Sequence, residues 1–444
     1  MLRQSCYLTA ILGVFGGVAC GSAAPASGAA FGDGGAQSTA GQPQMTNGGV
    51  SVPTTSGGAT AGTLAGGGVS DGGMGSGGGA PALGGAGGGG TTSTTGGAPN
   101  VSPSGKAVVF VGGFGADPVH LYDFDKSTGA LVERLPSVDA GPEPSCLALD
   151  PSRTHLYVCN EDDTAQGGVT AFTLQADGAI KKLNHQVGSD LGFTQVAVSP
   201  NGKFLAAAGY NGGSASVFPL SADGSVGAEA DVMDFGANAE THYVAYDPTG
   251  KYLLATTKGT SAVQQLKLDE GGKLSANVPP SVATAAGVGP RHMTVHPNGK
   301  LVYVVTERGS TVISYKLSAT GTLTPGATVS SVPTDYQGSN SGAHVELSPD
   351  GSFLYVSNRG HDSVGVFKVN QDTGALTLVA HALTHSSSPH DFDIDAEGRT
   401  LITANRKGNS LTVFKIETDG TLTQLGEPVP TRTEPTAVLI HNLK

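Results

Sequence analysis

The chain has 444 residues, of which 69 are glycine and 14% are charged, and its formal net charge is −12. An acidic chain without a block of basic residues argues against nucleic acid as its main partner. No apolar run of about 18 residues follows the N-terminal segment, which excludes a polytopic membrane protein. The glycine-rich part has no three-residue period, which excludes collagen.

Residues 1–20 have the pattern of a secretory signal, because Arg3 is followed by an apolar run and then by small residues. The segment Gly17-Val18-Ala19-Cys20 resembles a bacterial lipoprotein box, although that box usually has Leu in place of Gly17. We expect export to the cell envelope, periplasmic or on the outer surface, with the only membrane contact a lipid on Cys20. The alternative is ordinary signal-peptidase cleavage, with Cys20 free or removed.

Residues 21–100 contain 28 of the 69 glycines and only two charged residues, Asp33 and Asp71. Such a segment cannot bury enough apolar surface to offset its chain entropy, so we predict a disordered tether. Residues 101–444 remain for a folded domain with a large core.

A short turn recurs through this domain at intervals of 47 to 52 residues. It begins with Ser, Asp or His, is followed in six of seven cases by Pro, and in six of seven it has Gly at its fourth position. The turns start at Ser102, Asp150, Ser199, Asp247, His296, Ser348 and Asp395. A fixed period with such turns between apolar strands predicts a repeat fold.

Each repeat is predicted to contain four strands, and no helical periodicity interrupts them. Seven such units predict an all-β, seven-bladed β-propeller. The first turn lacks a preceding strand, whereas Glu434–Ile440 has the pattern of that strand and no turn after it. We therefore expect the C-terminal strand to close the first blade, which removes an exposed sheet edge.

The repeat register places charged residues at one mouth of the central channel. The first strand of each blade begins six residues before the turn Pro, and the second ends ten residues after it. In an antiparallel hairpin these positions share one end. The residues found there include His242, Arg291, His390, Lys258, Glu307, Arg359 and Arg406. Residues that differ between repeats at one mouth predict a functional site, although charged loop residues are often only solvated.

Two further residue types constrain the chemistry. Cys146 and Cys159 are equidistant from a turn centre, so they could form a disulfide or remain two buried thiols. His292 and His296 lie four residues apart on one strand, too far to share a metal ion. No HExxH or Cys-x-x-Cys is present. We expect no metal and no other cofactor, although residues from several blades could combine to bind Ca²⁺.

The segment from Gly289 to Lys300, running on to Glu307, resembles the signature of the 6-phosphogluconolactonase-type lactonase propellers, and so do Leu347–Ser363 and Ser388–Asn405. That family includes a fungal carboxymuconate lactonizing enzyme. Its site residues would correspond to His242, Arg291, Glu307 and Arg359. Thr256-Thr257-Lys258-Gly259 departs from the family, which usually has an Asp-Leu-Gly segment there.

This resemblance implies a lactone hydrolase acting on an anionic small-molecule lactone, as a monomer. Glu307, or alternatively His242, would take a proton from water, and Arg291 and Arg359 would bind the carbonyl oxygen or an anionic group. Further contacts to the substrate are expected from His292, His390, Arg406 and Lys258. The alternatives are a non-catalytic envelope propeller that binds a protein or glycan, and a muconate-type lactonizing isomerase.

Overall fold

The computed structural model describes residues 105–115, 118–162, 166–432 and 434–443. The expected signal segment, Cys20 and the tether lie outside these residues. The described part is all-β, with 29 strands and one short 3-10 helix, Ala237–Ala239. No helix within it has the length and apolar character needed to cross a bilayer.

The strands form seven antiparallel sheets, one for each sequence repeat, and these are the blades of a seven-bladed propeller. Blade 1 contains β1 (Lys106–Phe114), β2 (Pro118–Asp125) and β3 (Ala130–Asp139). Blade 2 contains β4 (Pro144–Leu149), β5 (His155–Asn160), β6 (Gln166–Leu174) and β7 (Ile180–Leu191). Blade 3 contains β8 (Phe193–Val198), β9 (Phe204–Gly209), β10 (Ser214–Pro219) and β11 (Asp231–Asp234).

Blade 4 contains β12 (Thr241–Tyr246), β13 (Tyr252–Thr257), β14 (Ala262–Leu268) and β15 (Leu274–Ala283). Blade 5 contains β16 (Pro290–Val295), β17 (Leu301–Thr306), β18 (Thr311–Leu317) and β19 (Leu323–Ser330). Blade 6 contains β20 (Ser341–Leu347), β21 (Phe353–Arg359), β22 (Ser363–Val369) and β23 (Leu376–Leu383). Blade 7 contains β24 (Pro389–Ile394), β25 (Thr400–Asn405), β26 (Ser410–Ile416), β27 (Leu422–Gln424) and β28 (Val429–Pro430). Both β27 and β28 pair with β26, so the outer strand of blade 7 is in two pieces.

The last strand, β29 (Glu434–Asn442), is the inner strand of blade 1. It pairs with β1 in antiparallel register, with Val109 opposite Ile440. The closure predicted from the sequence is confirmed. The ring is therefore joined by the two ends of the domain, and no inner edge is left unpaired at this junction.

The hydrophobic core is divided among the blade interfaces. The described residues contain seven buried clusters, and each one lies between two consecutive blades, including blades 7 and 1. Side chains of one strand alternate between the two faces of its blade. In β17, Tyr303 and Val305 pack toward blade 6, whereas Val302 and Val304 pack toward blade 4. This is why the second strands read as continuous apolar runs.

The recurring turn has a backbone reason for its glycine. Gly299 has a φ of 69° and donates its N–H to the carbonyl oxygen of His296 at 2.8 Å. A positive φ is inexpensive only for glycine. Blade 2 has no glycine there, and Arg153 adopts the same left-handed region with a φ of 56°. The period seen in the sequence thus follows from one turn geometry repeated around the ring.

Cys146 and Cys159 lie directly opposite each other on β4 and β5, with their Cα atoms 5.2 Å apart. They form a disulfide in this structure. Of the two alternatives that the sequence left open, the bonded pair is the one observed.

Candidate active site

The site begins with an irregularity that the blades share. Each inner strand has a β-bulge near its start, where one or two residues have no partner on the neighbouring strand. A bulge bends a strand and re-aims its side chains. His242, Arg291 and His390 occupy such positions. The consecutive residues Arg291 and His292 both line the channel, which strict strand alternation would forbid.

The channel enclosed by the inner strands has a volume of about 370 Å³. A second cleft of about 460 Å³ lies between blades 6 and 7 and is lined by Glu307, Arg359, Arg406 and Lys407. The two cavities adjoin, because Arg291 lines the channel and is ion-paired with Glu307 in the cleft.

Glu307 follows β17 and gathers three cations. Its carboxylate oxygens lie 3.1 Å from Nε of Arg291, 3.2 Å from Nη2 of Arg359 and 3.4 Å from Nζ of Lys258. Burial alone would raise the pKa of Glu307, but these three cations outweigh it and lower the pKa to about 2. The residue is therefore a carboxylate over the whole neutral range, and a weak base.

The guanidinium of Arg291 is buried, with 2% of the side chain exposed. Its Nη1 donates to Nε2 of His292 at 3.0 Å and to the carbonyl oxygen of Ala343 at 2.8 Å, and its Nη2 donates to Nε2 of His390 at 3.0 Å. Burial, and then the nearby Arg359, lower the pKa of Arg291 to about 10. It remains charged at neutral pH, and only one of its Nη2 hydrogens is left for a ligand.

Arg359, the last residue of β21, keeps more of its donors. Its Nη2 contacts Glu307 and the carbonyl oxygen of Gly342, while Nε is buried without a hydrogen-bond partner among the described residues. Arg406 lies on the rim of the same cleft, where its Nε is 2.9 Å from Glu434 and its guanidinium covers the ring of Phe114. The sequence predicts both arginines at one mouth of the channel. In the structure Arg359 is ion-paired with Glu307, whereas Arg406 is ion-paired with Glu434.

Lys258 is buried beside Tyr210, the residue that follows β9 in the preceding blade. Its Nζ donates to the Tyr210 hydroxyl at 2.6 Å and lies 3.4 Å from both Glu240 and Glu307. Glu240 also pairs with Arg308 at 3.0 Å. Sequence reasoning missed Glu240, which lies in the irregular segment before β12 and not at a repeated register position.

His242 lines the channel and packs its ring against Tyr210, with the ring centroids 5.6 Å apart. Its Nδ1 is buried and has no hydrogen-bond partner among the described residues. Burial, followed by the charges of Arg291 and Lys258, lowers the pKa of His242 well below its ordinary value. The imidazole is therefore neutral and able to accept a proton at neutral pH.

Behind Arg291, the predicted site residue His292 forms a row with His344 and Asp391, which are not among the predicted site residues. Nδ1 of His292 lies 2.8 Å from Nδ1 of His344, which lies 3.2 Å from a carboxylate oxygen of Asp391. All three residues lie five positions before the turn Pro or its equivalent, on three successive inner strands. That shared register was the available signal.

These three atoms lie within 4.8 Å of one another and could in principle hold a metal ion. The neighbouring contact opposes this. Because Arg291 donates to Nε2 of His292, the proton of that neutral ring is on Nδ1, the atom that would have to bind the metal. The arrangement is better described as a chain of hydrogen bonds from Arg291 through His292 to His344.

Carboxylates continue down the channel beyond this row. Burial raises the pKa of Asp391 to about 7, and burial together with other charges also raises the pKa of Asp393 to about 7. Burial and these two neighbours raise the pKa of Glu346 well above its ordinary value. One end of the channel is thus rich in cations and the other in carboxyl groups.

The fold and these charged residues define a class, the propellers with an arginine- and histidine-lined channel mouth. The described chain matches the family "Lactonase, 7-bladed beta-propeller" over residues 108–440. The protein belongs to this lactonase propeller family.

Relatives in this family carry named activities. The chain is 31% identical to a 6-phosphogluconolactonase of Bacillus subtilis over 338 residues, which is 73% of this chain and 95% of the relative. It is 32% identical to a 6-phosphogluconolactonase of Serratia proteamaculans, covering 72% and 95% of the two chains. The periplasmic gluconolactonase of Pseudomonas aeruginosa has a similar structure, with a TM-score of 0.72, 25% identity, and 76% and 100% coverage.

Proposed function

We propose that this protein hydrolyses a sugar-type lactone bearing an anionic group, at the junction of the channel and the cleft. The observation that carries the proposal is the convergence of Arg291, Arg359 and Lys258 on Glu307, beside the neutral His242. The names of the relatives, 6-phosphogluconolactonase and gluconolactonase, support the same reaction class.

In this proposal the lactone ring lies in the channel mouth. His242 takes a proton from water, and the water oxygen bonds to the lactone carbonyl carbon. The charge that develops on the carbonyl oxygen is stabilised by the remaining Nη2 hydrogen of Arg291. The ring C–O bond then breaks, and the proton held by His242 goes to the departing oxygen. The products are a carboxylic acid and a hydroxyl group.

We place the base at His242 and not at Glu307, because both carboxylate oxygens of Glu307 are engaged by cations, whereas Nδ1 of His242 has no partner among the described residues. Glu307 instead holds the three cations at fixed positions. Its charge also offsets the repulsion that three buried cations would otherwise exert on one another.

Arg359 is the best anchor for the anionic group of the substrate. Its Nε is buried without a partner, and a guanidinium presents paired donors to a carboxylate or phosphate. Arg406 and Lys407 line the same cleft and add positive charge. The substrate would therefore span the two cavities, with its anionic end toward blades 6 and 7.

The location proposed for the protein is the cell envelope, through the signal segment and a lipid on Cys20. A phosphorylated sugar lactone is a cytoplasmic metabolite, so an exported enzyme would act on a different lactone. The periplasmic location named for the Pseudomonas aeruginosa gluconolactonase supports this reading.

The test is proton release by the purified protein on a panel of sugar lactones, phosphorylated and not, with and without divalent metal. We expect turnover that falls by about 10²- to 10⁴-fold in His242→Gln, as for loss of a general base. Glu307→Gln should also lower turnover, whereas Glu417→Gln, at an exposed ion pair with Lys415, should not. A folded wild-type protein that opens no lactone would overturn the proposal in favour of a binding propeller.

A further inference from the structure

Arg291 is held on both sides by imidazole nitrogens. A guanidinium can only donate hydrogen bonds, so Nε2 of His292 and Nε2 of His390 must both be acceptors. Each of these rings is neutral and carries its proton on Nδ1. The contacts of Arg291 therefore fix the tautomers of two histidines, and those histidines in turn fix the plane of the guanidinium.

The two Nδ1 protons have different destinations. His390 donates its proton to the carbonyl oxygen of Thr436 at 3.0 Å, which ends that branch on the backbone of β29. His292 donates to Nδ1 of His344 at 2.8 Å. His344 therefore accepts on Nδ1 and carries its own proton on Nε2, on the side of Glu346.

Asp391 lies beside the end of this chain. One of its carboxyl oxygens lies 3.2 Å from Nδ1 of His344, and the other accepts the backbone N–H of Val438 at 3.1 Å. The chain of hydrogen bonds thus runs from the cation at the mouth through two rings and ends at His344. Because Nδ1 of His344 already accepts from His292, the contact with Asp391 adds no further hydrogen bond. Neither ring is needed to contact the lactone in the reaction proposed above, so the substrate contact that the sequence predicts for His292 is replaced in this proposal by a contact with Arg291.

We propose that His292 is a positioning residue, which holds the Arg291 guanidinium in its catalytic orientation, and that His344, by accepting the Nδ1–H of His292, keeps His292 in the tautomer this requires. The inference rests on the proposed function, because the orientation matters only if Arg291 stabilises the reacting carbonyl oxygen. With Nη1 and one Nη2 hydrogen engaged, a single N–H is left at a defined place facing the channel.

A bound metal ion is the competing explanation for two imidazoles and a carboxylate in one place. A metal would take the lone pair of His292 Nδ1 and move the ring proton to Nε2, where it would face the N–H of Arg291. Metal binding and the observed contact of Arg291 therefore exclude each other, so an experiment that identifies the tautomer of His292 can decide between them.

The kinetic test compares two substitutions with a matched control. His292→Leu removes the acceptor, and we expect kcat to fall by about 10²-fold with little change in KM, as for a reacting group moved by about 1 Å. His292→Gln supplies an amide oxygen in place of Nε2 and should recover most of the lost kcat. His296→Leu replaces an equally buried histidine at the turn after the same inner strand and should leave kcat near that of the wild type.

Two outcomes of this comparison would overturn the positioning role. One is an equal effect on kcat in His292→Leu and His296→Leu, because both would then act through the fold. The other is a His292→Gln variant no better than His292→Leu, because the acceptor would then be irrelevant.

The second measurement does not depend on turnover. In ¹⁵N-histidine NMR spectra of the intact protein, His292 and His390 should both appear as neutral Nδ1–H tautomers. An Nε2–H tautomer at His292 would overturn the inference, as would stoichiometric Zn²⁺ binding that is lost in His344→Gln. Absence of lactone turnover with the expected tautomers would overturn the proposed function alone, since the hydrogen-bond chain itself would stand.

Discussion

Nε of Arg291 lies 3.1 Å from a carboxylate oxygen of Glu307, and this ion pair joins the inner strand of blade 5 to the end of its second strand. The pair lies where the channel meets the cleft. Arg359 and Lys258 approach the same carboxylate from blades 6 and 4. One side chain therefore connects three blades at the mouth, and replacing it should affect both stability and turnover.

The first prediction concerns stability and pH. The pKa of Glu307 in the folded state, about 2, is below its ordinary value of 4.5, so the ionised carboxylate stabilises the fold. This contribution is complete above about pH 5 and is lost as the pH falls toward 2. The shift corresponds to about 3 kcal/mol. Urea unfolding of the wild type and Glu307→Gln should therefore differ most at neutral pH and converge in acid; a constant difference would contradict this.

The second prediction concerns the pH dependence of turnover. Burial and the nearby cations hold the pKa of His242 well below its ordinary value of 6.5. A base must be unprotonated to act, so kcat/KM should stay level from about pH 8 to about pH 6 and decline only below that. Initial rates in buffers of constant ionic strength would show this. An activity loss centred at pH 6.5 would instead indicate an unperturbed histidine as the base.

The third prediction separates the two arginines of the cleft. Arg359→Ala should lower kcat/KM for an anionic lactone by about 10²- to 10³-fold, because its buried donors would have no replacement. Arg406 is partly exposed and already paired with Glu434. Arg406→Ala should raise KM by no more than about tenfold and leave kcat unchanged. Equal effects of the two substitutions would show that the cleft does not distinguish them.

The fourth prediction concerns the disulfide between β4 and β5, whose cysteines are 13 residues apart in sequence. Replacing both Cys146 and Cys159 by Ser should lower the free energy of unfolding by about 3 kcal/mol, mainly by freeing the unfolded chain. Turnover of the folded protein at 25 °C should persist, since neither cysteine belongs to the charged mouth. Wild-type protein treated with reductant should show the same shift in urea midpoint; no shift would mean that the thiols were never joined.

The fold was predictable because one turn is repeated. The Pro and Gly of this turn, at a period near 49 residues, located the blades, and the missing strand before Ser102 identified the closing strand. The same register brought out Arg291, Glu307 and Arg359, because residues at one end of antiparallel strands must meet. This part of the site follows from periodicity alone.

The bulges were not predictable in the same way. An unpaired residue leaves no mark in the pattern of apolar and polar residues, yet it turns both Arg291 and His292 to the channel. The contact of His292 with His344, and that of His344 with Asp391, both cross from one blade to the next, which no single strand reveals. The position of Arg406 could not be foreseen either, because its partner Glu434 belongs to the closing strand of blade 1 and not to blade 7.

The closing strand has a consequence for how the protein becomes active. The carbonyl oxygen of Thr436 accepts the Nδ1–H hydrogen bond of His390, and the N–H of Val438 donates to Asp391, so the closing strand β29 completes the surroundings of Arg291. A nascent or C-terminally shortened chain would have six blades assembled and still lack these two backbone groups. Catalytic competence should therefore arise only when the ring closes, which makes turnover a direct report of the final step of folding.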